Sequence, residues 1–161
     1  MKSLKRILAL LLTLCLLMSF AACHKKGEIA LDVDGIKFTS AYYMCALMNA
    51  DNEAKNKVYE KLTDAEKATE VDYYSKKIDG KKYTDWVKDT AIENLKQIAA
   101  YKLLCKENKL EIDKETLNSI QQNAQYYWSS YGYASYFEPN GVSFGTYNDF
   151  MVDAQYSERD S

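Results

Sequence analysis

The chain has 161 residues, 47% of them hydrophobic and 27% charged, with a formal charge of −2. Its three charges within residues 1–22 are all basic, so removing that segment leaves 18 Lys and Arg against 23 Asp and Glu, a formal −5. That balance argues against nucleic-acid binding, which calls for a basic face, and one proline with six glycines favours a helical protein over a β-sandwich.

Lys2, Lys5 and Arg6 open the chain, and an apolar run from Ile7 to Phe20 follows them. A positive start, a short apolar stretch and the small residues Ala21 and Ala22 make a secretory signal over residues 1–22. The run is shorter than the roughly 20 residues of a permanent spanning helix. Cys23 stands directly after the alanines, and "SFAAC" resembles the lipobox of bacterial lipoproteins, with Phe20 in place of the usual Leu. The resemblance implies cleavage before Cys23 and lipidation of its sulfur. Two acyl chains would hold the chain stably at the outer face of the membrane. Residues 23–28 then form a polar tether, and residues 29–161 are expected to form one domain.

In "IALDVDGIKFT", Ile29, Leu31 and Val33 alternate with polar residues, and Asp34-Gly35 is a hairpin turn signal, with Ile36 and Phe38 on the return strand. Thr39 or Ser40 is expected to cap a first helix, from about 41 to 62, that begins with Tyr43, Met44, Leu47 and Met48. Its later part, "NADNEAKNK", reads as a break or a solvated extension, residues 63–75 read as helical, and Asp79-Gly80 marks a second turn. A second helix over about 84–108 carries a core stripe of Val87, Ala91, Leu95, Ile98 and Ala99, widened by Trp86, Ile92, Leu103 and Leu104. Asp113 is expected to cap a third helix with Leu117, Ile120, Ala124, Tyr127 and Tyr131 inward. Ser143 is expected to cap a fourth, with Tyr147, Phe150, Met151 and Ala154 inward.

"ALDVDGIKFTSAYYMCAL" resembles the opening of the SurA-like and PrsA-like foldases, in which a short hairpin leads into a helix. "IDGKKYTDWVKDTAIENLKQIAAYKLLCKENKLEIDKETLNSI" and "NGVSFGTYNDFM" are similar to the segments that follow in that family, so the likeness spans residues 28 to 156. It implies a mainly α fold, a small N-terminal hairpin followed by a chaperone module of about four helices. It also implies unfolded or nascent secreted polypeptides as partners. The family usually adds a parvulin-type prolyl isomerase domain, and this sequence reaches Ser161 where that domain would begin. The expected function is therefore extracytoplasmic holding of unfolded chains without an isomerase domain. The front half of a peptidyl-prolyl isomerase, or a surface-binding or adhesion lipoprotein, are the alternatives.

No catalytic set, metal site or cofactor motif is expected. The single histidine, His24, belongs to the tether, and neither "DVD" nor "DNE" has the ligand spacing of a calcium loop, so their acids read as solvated. Cys45 and Cys105 fall on separate predicted helices. They could pair outside the cytoplasm, and two buried thiols are the plainer reading. The unusual feature is "QYYWSSYGYASYF", residues 125 to 137. Trp128, Tyr131, Tyr133, Tyr136 and Phe137 are the candidate client-binding residues, because Tyr and Trp combine an apolar body with a polar tip. On the competing reading Tyr127 and Tyr131 sit in the core and the others stabilise a loop.

Overall fold

The computed structural model describes residues 27–157, so the signal segment, Cys23 and His24 lie outside the described residues. Strands β1 (Ile29–Val33) and β2 (Ile36–Thr39) form an antiparallel hairpin. Asp34 and Gly35 both take positive φ, 51° and 85°, as the two-residue turn between right-twisted strands demands. Asp32 Oδ1 accepts the Gly35 N–H at 3.0 Å, so the first acid of "DVD" braces this turn. A second hairpin, β3 (Lys77–Ile78) and β4 (Lys81–Lys82), turns on Asp79-Gly80 with the same signs of φ.

Helix α1 (Ser40–Glu60) starts where Thr39 Oγ1 accepts the Tyr42 N–H. It does not break at its polar stretch. Ala46, Ala50, Ala54 and Val58 recur every fourth residue and are buried, so a narrow seam of small side chains continues inward while Asn52, Glu53 and Asn56 face water. Helix α3 (Tyr83–Asn108) lies along that seam with its expected stripe, Val87, Ala91, Leu95, Ile98 and Ala99. Leu104 differs from expectation and is exposed, beyond the reach of the core.

Residues 63–75 are not one helix. Only α2 (Asp64–Lys67) forms, opened by a reciprocal capping box between Thr63 and Glu66. No apolar stripe supports a longer helix. Downstream, the Asp72 carboxylate takes the Tyr74 and Ser75 N–H groups into a local turn instead. Asp113 caps α4 (Lys114–Gln125) through the Thr116 N–H at 2.8 Å. A π-helical turn (Tyr126–Ser130), the short α5 (Ala134–Phe137) and a 3₁₀ turn (Glu138–Asn140) lead to α6 (Phe144–Ser157). Ser143 Oγ accepts the Thr146 N–H at the start of α6. Helix α6 touches α1, α3 and α4 and closes the core with Tyr147 and Phe150. Among the described residues no helix is long and apolar enough to cross a membrane.

The second acid stretch, "DNE", departs from its reading as solvated. Asp51 is 1% exposed. The Tyr83 hydroxyl donates to its Oδ1 at 2.8 Å, and Lys55 Nζ lies 2.5 Å from Oδ2. One turn of helix brings Lys55 over Asp51, and α3 delivers Tyr83 from the other side, so the buried charge is matched on both oxygens. Burial, followed by the Asp51 charge, pushes the Tyr83 hydroxyl well above its ordinary range. Tyr83→Phe keeps the ring and deletes one donor to the buried carboxylate. Denaturant titration should show a loss of about 1–3 kcal/mol, and an unchanged midpoint would mean Asp51 does not depend on that hydroxyl.

Candidate functional site: an aromatic and methionine groove

The aromatic stretch is organised by a change of helical pitch. Helix α4 buries Ile120 and Ala124, and the next residue on that face, Trp128, is also buried. A continuing α-helix would bring Tyr131 in behind it. Instead the Tyr131 N–H bonds the Tyr126 carbonyl five residues back, and the wider turn swings Tyr131 outward. Gly132, at φ +91°, then ends the helix in a conformation that side chains resist.

The inward rings form one cluster. Trp128 stacks on Phe137 with centroids 5.8 Å apart and planes 7° from parallel. It meets Phe144 edge-on at 5.7 Å and Tyr147 at 5.7 Å. Two of the five candidates, Trp128 and Phe137, are therefore core residues, 7% and 0% exposed, and do not present a binding surface. Trp128 continues the Ile120–Ala124 face at a spacing of four; α5 folds Phe137 back under it. Tyr133 and Tyr136 are half-buried against the core. Tyr131 is exposed at 64% and Tyr127 at 37%, so the reading that put these two in the core is overturned.

The outward rings form a second, connected group that includes Tyr126 at 56% exposure. Tyr127 contacts Tyr126 and Tyr131 edge-on, at 5.6 and 5.7 Å, and stacks with Tyr133 at 5.7 Å. Tyr133 joins the two groups, since it meets Tyr131 on one side and Phe137 and Tyr147 on the other. Its hydroxyl accepts from Asn52 Nδ2 on α1 at 3.3 Å, and burial raises its pKa.

Between α1, this ring group and α6 lies a groove of about 240 Å³. Met48 and Asn52 from α1, Tyr127 and Tyr133, and Phe150 and Met151 from α6 line it. Cys45 lies at its margin as a free, buried thiol, and Cys105 is also unbridged. The Cys45 thiol donates to the Ala41 carbonyl, and burial pushes its pKa up, so it stays protonated and is a poor nucleophile. Among the described residues no group of three His, Cys, Asp or Glu converges on a metal position. The groove offers flexible thioethers, rigid tyrosines with polar tips and two carboxamides, Asn49 and Asn52. Such walls can accommodate apolar side chains of varied shape.

No protein-family profile, curated protein or solved structure matches this chain. The site thus rests on its own geometry. Sequence reasoning missed Tyr126, Tyr127, Met48, Asn52 and Met151 as members of one surface. One signal could have found part of it. From Thr116 to Phe137 the chain carries no Asp, Glu, Lys or Arg, although over a quarter of the whole chain is charged. A long neutral stretch rich in Tyr, Ser, Asn and Gln has the composition of an adaptable binding surface.

Proposed function

We propose that this chain is a lipid-anchored extracytoplasmic chaperone module that holds unfolded secreted polypeptides, with Cys23 as the lipidated residue. The observation that carries the reading is the row of exposed rings, Tyr126, Tyr127 and Tyr131, beside a groove walled by Met48, Tyr133 and Met151. Exposed aromatics at the edge of a methionine-lined groove suit transient capture of apolar segments without a fixed sequence. The signal segment, the "FAAC" junction and the resemblance to SurA-like and PrsA-like foldases support the same reading.

Tyr126→Ser with Tyr131→Ser is the decisive variant. Both rings are exposed, so stability should change by no more than about 0.5 kcal/mol per site. Potency in suppressing aggregation of a chemically unfolded client should fall about tenfold or more, at roughly 1 kcal/mol for each anchor lost. Full potency in the double variant would remove the ring group from the site. Separately, Cys23→Ala should abolish incorporation of a fatty-acid probe and release the chain from the membrane fraction. Continued labelling would refute the anchor.

A further inference from the structure

A second groove, of about 410 Å³, runs between α4 and α6. Asn118, Gln121, Gln122 and Gln125 line it from α4, and Phe144 and Asn148 from α6. Five of these six side chains end in a carboxamide and none is charged. We propose that this groove grips the main chain of an extended polypeptide; the inference rests on the holding function above and names the part of the client that α4 recognises.

A carboxamide carries both a donor and an acceptor, the same pair as a peptide group, and so can bond it reciprocally. Asn118 and Gln122, and likewise Gln121 and Gln125, are four residues apart and share a helix face. Their spacing along the axis is about 6 Å. Alternate peptide groups on one side of an extended chain repeat at about 6.6–6.8 Å. Flexible amide side chains close that small difference, so successive carboxamides can meet successive alternate peptide groups. Asn148 adds a carboxamide from the opposite wall, on α6. Its Oδ1 is turned inward and, among the described residues, has no hydrogen-bond partner, so rotating this amide toward the groove breaks no bond to that oxygen.

Neutral walls suit this task, because recognition of the backbone alone ignores the charges of the client's side chains. An oligosaccharide also offers hydroxyls of both kinds. Its ring faces call for an open aromatic platform, whereas the groove's one ring, Phe144, is half-buried against Trp128. Gln125 directly precedes Tyr126, so a bound segment can run from the carboxamides onto the exposed rings.

The test uses the full chain in neutral-lipid nanodiscs, with fluorescence anisotropy of a labelled uncharged decapeptide of Ser, Thr and Val. The same peptide N-methylated at alternate residues serves as its partner probe. Asn118→Ala with Gln122→Ala should weaken binding of the parent peptide about tenfold, and N-methylation should weaken binding to the unaltered chain at least as much. Both altered side chains are exposed, so circular dichroism should be unchanged. Equal affinity for parent and methylated peptides, or undiminished binding by the carboxamide variant, would overturn the proposal. The holding function would still stand if Tyr126→Ser with Tyr131→Ser lost client suppression, and would fall with it if that variant also behaved like the parent. Absence of peptide binding together with carboxamide-dependent binding of chitotetraose would overturn the proposal in favour of a sugar site.

Discussion

Trp128→Ala should cost about 3–5 kcal/mol of folding stability, while Tyr131→Ala, three residues away, should cost about 0.5 kcal/mol or less. Trp128 is enclosed by Phe137, Phe144 and Tyr147, so its truncation opens a cavity where α4, α5 and α6 meet. Tyr131 is largely exposed and meets Tyr127 and Tyr133 edge-on. Paired denaturant titrations would measure the contrast. Similar costs for the two would mean that the π-helical turn does not separate their environments. The same pair distinguishes stability from binding, since the Trp128 variant should lose client holding only in step with its loss of fold.

The second large effect is alkaline. Burial raises the pKa values of Tyr42, Tyr74, Tyr83 and Tyr147, and nearby Asp153 and Asp51 add to the shifts at Tyr42 and Tyr83. These hydroxyls ionise near pH 10 in an unfolded chain. In the folded chain they hold their protons to higher pH, so the native state binds more protons than the unfolded state above about pH 10. The stabilisation is complete below that value and is withdrawn as pH rises beyond it. The Tyr42 hydroxyl donates to Asp153 at 2.6 Å and Lys102 bonds the same carboxylate, so ionising Tyr42 would set two anions side by side at the junction of α1, α3 and α6. Helical circular dichroism should therefore collapse above about pH 10, in one step with the last part of the rise in tyrosinate absorbance. A full tyrosinate signal from a chain that keeps its native dichroism would contradict the assignment of these rings as buried and proton-bound.

Acid burial and the aromatic face show where local reasoning stops. "DNE" reads as solvent-facing because its three residues are polar, yet a helix exposes only some positions of any short stretch. The small residues Ala50 and Ala54 set which side of α1 faces α3, and Asp51 falls beside that seam. What makes its burial tolerable is Tyr83, 32 residues later, which no local pattern connects to it. In the same way, a period of 3.6 carried from Leu117 predicts Tyr127 and Tyr131 inside. A single wider turn defeats that extrapolation, because one additional residue per turn rotates all that follows.

Where neighbours in the chain settle the conformation, sequence by itself determined the outcome. The Asp-Gly pairs set both hairpins, Thr39, Asp113 and Ser143 cap their helices, and Val87 to Ala99 mark the buried stripe of α3. Each of these rests on turn geometry, a side chain satisfying an N–H within four residues, or a repeating apolar face. Tertiary structure alone decided that Phe137 is core, that Tyr126, Tyr127 and Tyr131 face out, and that Met48, Asn52 and Met151 join Tyr127 around one groove. Those residues are brought together by the packing of α1, the aromatic turn and α6, and what is buried there depends on which distant surfaces meet.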